Sequence, residues 1–125
     1  MNMILAVASG GAVGAVARLL LSKGMLNLFG PGFPWGTLAV NLLGSFMIGL
    51  LIEIFASRVN ISHEWQAFII IGFLGGFTTF SSFSLEVGLM IEKGQLATAM
   101  FYALGSIFIG VVALFAGLYA GKAFI

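Results

Sequence analysis

A run of glycine, threonine, phenylalanine and serine in residues 75–84 (GGFTTFSSFS) has the residue types and spacing to bind an ion. Its two adjacent glycines are poor helix formers, and its five hydroxyls within residues 78–84 can bond to the backbone in place of helical partners. We therefore expect an interrupted helix here. At membrane depth, freed carbonyls can hold a cation, and the N-terminus of a half-helix favours an anion. The alternative is a kinked helix whose hydroxyls bond back onto their own turn.

Two aromatic residues in this run, Phe80 and Phe83, are spaced three apart and so share one side of the second half-helix. Thr79, Ser82 and Glu86 form a polar stripe beside them. Because an aromatic ring has a partly positive edge, two such edges can face a small dehydrated anion that a lone hydroxyl could not satisfy. A phenylalanine pair in a helical bundle is otherwise core filler, and the alternation with hydroxyls favours the anion interpretation.

Asn41 is an amide inside the second apolar stretch, with Thr37 and Ser45 one turn away on either side. A buried amide in lipid needs partners, and its NH₂ group is a donor suited to an anion. It could equally make a hydrogen bond between helices. Position alone does not separate these two interpretations.

Three further polar residues lie in other apolar stretches. Tyr102 and Ser106, one helical turn apart, indicate a polar track along the fourth stretch. Arg18 is near the end of the first stretch. Its side chain could snorkel to the interface, or it could be a fixed positive charge that attracts anions into a vestibule.

The elements that must position these residues are apolar segments long enough to cross a membrane. Of the 125 residues, 61% are hydrophobic and 7% are charged, against about 25% charged in a soluble domain. A membrane helix needs about 20 apolar residues, and the predicted spans are residues 3–21, 35–55, 65–91 and 95–120. We therefore predict an all-α integral membrane protein, a single four-helix transmembrane domain over residues 1–125 whose third helix is broken near residues 75–80. The first connection, residues 22–34, is predicted as a loop, and so are residues 56–64.

Small residues spaced four apart predict the faces on which these helices approach closely in lipid. They are Gly10 and Gly14, Ser45 and Gly49, Gly72 and Gly76, and the set Ala113, Gly117 and Gly121.

The composition excludes several function classes. Without cysteine there is no disulfide, iron–sulfur cluster, thiolate zinc site or thiol nucleophile. The lone histidine, His63, falls in a predicted loop, so an intramembrane hydrolase lacks its base and the chain is not expected to be an enzyme. A net charge of +1 implies no nucleic-acid partner.

The Lys/Arg balance bears on orientation in the membrane. With four spans, Arg58 and Lys122 lie on one side, and Arg18, Lys23 and Lys93 lie on the other, a count of 2 against 3. The positive-inside rule needs a clear asymmetry. Both orientations are therefore expected to insert, so that a chain can pair with an inverted copy about a two-fold axis in the membrane plane. The alternative is that one or two charges suffice to set a single topology.

Two motifs stand out in the second and third spans: residues 34–38 (PWGTL) followed by Asn41 and Gly44, and residues 72–83 (GFLGGFTTFSSF) with Glu86. Together they resemble the Fluc (CrcB) family of fluoride channels. Residues 10–18 (GGAVGAVAR) also resemble the first helix of that family. The match covers the whole chain in order, and its most specific part is the segment around residues 78–83.

The resemblance implies an antiparallel, dual-topology homodimer in the plasma or inner membrane of a bacterium, which exports fluoride passively through two pores. It also implies a structural sodium ion at the dimer centre, held by backbone carbonyls of Gly75 and Thr78 from both copies. The residues it implies for the fluoride pore are Asn41, Phe80, Phe83, Thr79, Ser81, Tyr102 and Ser106, and those for the vestibules are Arg18 and Glu86.

Two other functions are alternatives to the channel. A proton-coupled small multidrug transporter has similar length and topology, but its mechanism needs a carboxylate within the first span, and here that span has no acid. Glu53 and Glu86 lie toward span ends. A non-transporting membrane subunit would not need a broken third helix with hydroxyls and phenylalanines.

Overall fold

The computed structural model describes residues 2–57 and 60–123, and these form helices and short connections without a strand. Helix α1 spans Met3–Phe29, α2 spans Trp35–Ser57 and α6 spans Leu96–Ala123. Between α2 and α6, one bent stretch consists of α3 (His63–Gln66), a π segment (Ala67–Leu74), α4 (Gly75–Phe77) and α5 (Phe80–Glu92). Four stretches are thus long and apolar enough to cross a membrane, as predicted.

The first connection is shorter than predicted. Helix α1 continues through Phe29, so a loop beginning at residue 22 is wrong. A single glycine or serine inside a helix costs at most about 1 kcal/mol, which the remaining apolar residues offset. The helix ends only at Gly30, which has φ 81° and whose N–H bonds to the Leu26 carbonyl oxygen at 2.8 Å. A positive φ of this kind favours glycine because it has no Cβ.

The third span also begins earlier than predicted, at His63, which therefore does not lie in a loop. The reason is a helix cap, in which the Ser62 side chain accepts a hydrogen bond from the Trp65 backbone N–H at 3.3 Å. Arg58, which entered the charge count above, lies outside the described residues.

Small residues bring α1 against the third span, as predicted. A methyl group added at Gly72 would lie 2.8 Å from the Val7 carbonyl oxygen, and one added at Gly76 would lie 2.7 Å from the Gly11 carbonyl oxygen. Both distances are shorter than any real Cβ contact, so the two backbones touch where only glycine fits.

Small residues also join α2 to α6. A methyl group at Gly117 would lie 2.9 Å from the Leu50 nitrogen, and one at Gly49 would lie 3.0 Å from the Leu118 nitrogen. Small residues therefore set the third span against α1, and α6 against α2.

The third span is interrupted at Thr78 and Thr79, as predicted. Thr78 has φ −85° and ψ 160°, and Thr79 has φ −151° and ψ 121°, so both are extended. Helix α5 restarts at Phe80, and the Thr79 hydroxyl caps it by accepting from the Ser82 N–H at 3.1 Å. A continuous kinked helix is therefore wrong.

Candidate functional site

The break in the third span is held by the side-chain amide of Asn41 in α2. Its Nδ2 donates to the Thr79 carbonyl oxygen at 3.0 Å, and its Oδ1 accepts from the Thr79 N–H at 2.8 Å. The amide therefore bonds both polar groups of one extended residue, as a neighbouring strand would. This bond uses one of the two N–H groups of Nδ2. Asn41 makes the hydrogen bond between helices that was one of its two predicted roles.

Two backbone carbonyls at the break are without their helical hydrogen bonds. In a continuous helix the Gly75 oxygen would accept from the Thr79 N–H, and the Thr78 oxygen would accept from the Ser82 N–H. Here the Thr79 N–H donates to Asn41, and the Ser82 N–H donates to the Thr79 hydroxyl. The oxygens of Gly75 and Thr78 have thus lost their helical donors and are suited to a cation.

An open groove of about 350 Å³ lies along this break. Asn41, Gly75, Thr78, Thr79 and Phe80 are among the residues that line it. In the described part of the chain, no three His, Cys, Asp or Glu side chains cluster, so the oxygens that this groove offers a cation are those of the backbone and of neutral side chains.

Phe80 and Phe83 lie side by side but in different surroundings. Their ring centroids are 5.9 Å apart at an interplanar angle of 41°. The Phe80 side chain is 78% exposed and borders the groove, whereas Phe83 is half-buried and packs on Tyr102 with centroids 5.1 Å apart. The pair therefore links the open groove to the buried side of α6.

Glu86 in α5 binds two hydroxyls from neighbouring helices. The Thr37 hydroxyl donates to its Oε2 at 2.7 Å, and the Tyr102 hydroxyl donates to its Oε1 at 2.8 Å. Thr37 is 7% exposed and Tyr102 is 2% exposed, so the carboxylate has partners on its buried sides. Sequence reasoning did not assign Thr37 to a site. The signals for it are its place one turn before Asn41 on the same face of α2 and its position within residues 34–38 (PWGTL).

Arg18 contacts the helix that ends at the break. Its Nε donates to the Gly76 carbonyl oxygen at 3.0 Å. Gly76 lies in α4, whose C-terminal end is at Phe77. A cation is favourable there because the last carbonyls of a helix carry partial negative charge.

The remaining predicted hydroxyls occupy two places. The Thr79 and Ser81 hydroxyl oxygens lie 3.4 Å apart at the start of α5. Ser106 lines a different groove, of about 360 Å³, which it shares with Ser45. The Ser106 hydroxyl is buried and has no hydrogen-bond partner among residues 2–57 and 60–123.

Comparison with known proteins gives one family. A model of the family described as CrcB-like protein, Camphor Resistance (CrcB), matches residues 5–118. A protein of Agrobacterium fabrum named fluoride-specific ion channel FluC is 53% identical over 116 residues, which is 93% of each chain. Proteins of the same name are 49% identical in Caulobacter vibrioides, over 98% of this chain and 97% of the relative, and 46% identical in Rhizobium meliloti, over the full length of both.

Proposed function

The chain belongs to the CrcB family, and on that premise we propose that it is a fluoride-selective channel that lets fluoride leave the cytoplasm by passive electrodiffusion. The observation that carries the proposal is the break in the third span beside two phenylalanine rings. Unwound backbone is tolerated at membrane depth where it is buried in protein or lines a wet cavity. The relatives' names, fluoride-specific ion channel, indicate the anion.

Membership of this family also gives the cellular location of the chain and its broad functional class. Four spans and bacterial relatives make the chain a multi-pass protein of a bacterial membrane. Its relatives are named as ion channels, so the family is one of channels and not of enzymes.

The proposed working unit is an antiparallel homodimer of two inverted copies. The groove along the break is open in a single chain, and the Phe80 ring on its border is largely exposed. A second copy would enclose both. The near balance of lysine and arginine across the membrane supports insertion in two orientations.

A structural sodium ion at the centre of this dimer is proposed from the freed carbonyls. The oxygens of Gly75 and Thr78 from two copies would supply four hard ligands, and these oxygens lack their helical donors in each chain. A bound cation supplies fixed positive charge that stabilises exposed carbonyl dipoles. Asn41 keeps the Gly75 oxygen free by occupying the Thr79 N–H, and the Thr79 hydroxyl keeps the Thr78 oxygen free by occupying the Ser82 N–H.

Fluoride holds its water tightly, so a selective pore must replace that water with many closely spaced donors. Phe80 and Phe83 would offer ring edges, and Asn41 would offer the second N–H of its amide. The Thr79 and Ser81 hydroxyls lie at the same end of α5 and can add donors there.

Other residues extend the proposed path away from the break. Tyr102 packs on Phe83 and binds Glu86, and the Ser106 hydroxyl has no partner in the described residues and is therefore free to donate. Arg18 keeps further N–H groups besides the one that bonds Gly76, so its charge can act on an anion in a vestibule.

The test is efflux of fluoride and of chloride from liposomes that contain the purified protein. With a potassium ionophore present to balance the charge, we expect fluoride to leave rapidly with no pH gradient, and chloride to stay inside. A proton-coupled transporter would instead move protons across the membrane and change the internal pH as its substrate leaves. Absence of a fluoride-selective leak would overturn the proposal.

A further inference from the structure

A continuous row of aromatic rings leads from the break to the end of the membrane-spanning bundle. Starting at Phe80 and passing through Phe83, Tyr102, Phe33 and Trp35, successive centroids are 5.9, 5.1, 5.2 and 4.8 Å apart. The first two rings belong to the proposed fluoride site. Phe33 lies in the connection between α1 and α2, and Trp35 is the first residue of α2, so the row ends where the second span begins.

Phe33 covers the deepest part of this row. Its ring meets the Tyr102 ring at 81°, an edge-to-face arrangement, and Tyr102 is only 2% exposed. Phe33 also packs on the buried cluster that Tyr102 forms with Met90 and Ala99. The Phe33 ring therefore covers the buried Tyr102 ring on the side of the loop between α1 and α2.

A cavity of about 370 Å³ opens beneath the same loop. We call it the loop mouth and define it by Phe33, Thr37, Glu86 and Lys93, which are among its lining residues. Thr37 is buried and Lys93 is exposed, so the cavity reaches from the membrane surface to the Glu86 carboxylate.

The charges in the loop mouth suit a small anion in spite of Glu86. Both carboxylate oxygens of Glu86 already accept hydroxyl donors, from Thr37 and Tyr102. Lys93 follows Glu86 by two helical turns, immediately after the end of α5, and provides a positive charge at the outer end of the cavity. An anion entering from the surface therefore meets the ammonium before the carboxylate.

We infer that the loop mouth is an entrance to the ion path, in which Lys93 collects fluoride from solution and Phe33 is a further pore residue beyond Phe83 and Tyr102. The inference rests on the proposed function, since it needs a chain that conducts fluoride. It assigns a role in conduction to the loop between α1 and α2. The break in the third span does not by itself require this loop.

The natural absence of cysteine allows a test on protein that is already folded. Lys93→Cys is purified and modified in detergent with a methanethiosulfonate that carries either a trimethylammonium or a sulfonate group, and is then reconstituted. We expect fluoride efflux at low ionic strength to be several-fold faster with the positive adduct than with the negative one. At about 1 M salt the Debye length falls to about 3 Å, so the difference should shrink. The matched control is Lys122→Cys, an exposed lysine in the last turn of α6.

The role of Phe33 is tested by Phe33→Leu against Phe101→Leu. Phe101 is next to Tyr102 in the chain but is 85% exposed and outside the loop mouth. We expect Phe33→Leu to lower fluoride efflux per folded dimer several-fold, and Phe101→Leu to match the parent.

The outcomes separate this inference from the proposed function. If the unmodified parent carries no fluoride, the proposed function fails and the loop mouth fails with it. If the parent conducts, but the two Lys93→Cys adducts conduct equally and Phe33→Leu matches the parent, only the loop mouth is overturned.

Discussion

Asn41 and Thr79 are joined by two hydrogen bonds, so that a side chain of α2 satisfies both backbone groups of the residue at the break. This pairing links three properties of the site. It stabilises extended backbone inside the bundle, it leaves the Gly75 oxygen without its helical donor, and it fixes the start of α5 and therefore the place of Phe80.

Removing the amide should destabilise the break. In Asn41→Leu, the N–H and the carbonyl of Thr79 both lose a partner, and each stranded buried group costs about 1–3 kcal/mol. We expect a lower midpoint of thermal unfolding in detergent and a loss of fluoride efflux. Asn27→Leu is the control, because Asn27 is exposed near the end of α1. Equal unfolding midpoints for the two variants would contradict the structural role of Asn41.

Close contact between α1 and the third span makes Gly76 intolerant of a side chain. In Gly76→Ala, the new methyl would lie 2.7 Å from the Gly11 carbonyl oxygen, so one backbone must move. We expect a loss of about 1–3 kcal/mol, typical of overpacking.

Gly105→Ala is the matched helix variant, because nothing lies within 4 Å of its added methyl. It should be neutral or stabilising by up to about 1 kcal/mol, since alanine is the better helix former. Unfolding in detergent compares the two, and an equally tolerated Gly76→Ala would show that the helices do not touch as described.

The phenylalanine pair should matter for conduction more than for folding. Phe80→Ile and Phe83→Ile keep an apolar side chain, so repacking should cost only about 1–3 kcal/mol. If ring edges bind fluoride, efflux per folded dimer, measured after size-exclusion chromatography, should fall sharply in both.

Three phenylalanines outside the broken segment, Phe46, Phe108 and Phe115, serve as controls for this loss. Their isoleucine variants should conduct nearly as well as the parent. Full activity in all five variants would leave Asn41 and the hydroxyls as the only candidates for binding fluoride.

Orientation in the membrane should respond to added charge. Lysines in place of Asn60 and Ile61, in the connection between the second and third spans, should bias insertion to one topology and lower fluoride efflux, because inverted partners become scarce. Co-expression with Glu92→Lys, which biases the opposite way, should restore efflux. Unchanged efflux from a chain that labels on one side only would refute the antiparallel dimer.

Much of the fold follows from local sequence. Runs of about 20 apolar residues predict the spans, and the two glycines with their hydroxyl neighbours predict the break, because both signals act within a few residues. Local signals alone also predict too short a first helix. Residues 22–24 (SKG) weaken a helix locally, while the apolar residues on either side continue it through Phe29.

The partners within the site depend on tertiary packing. Thr37 and Glu86 are 49 residues apart in the chain, and Arg18 and Gly76 are 58 apart, so no local spacing relates them. The π segment before the break likewise has no composition signal, since residues 67–74 (AFIIIGFL) would suit an ordinary α-helix. Such contacts emerge only when the helices are packed against each other.

The reversal potential of a bilayer that contains the protein tests fluoride conduction most directly. Under a tenfold fluoride gradient with symmetrical chloride, a fluoride-selective passive pore should reverse at about 59 mV, the value for one charge. Gradients of sodium or of protons should leave that potential unchanged, because the proposed sodium is structural and no ion is coupled. A reversal potential that stays near zero, or one that shifts with the sodium or proton gradient, would contradict a passive fluoride channel.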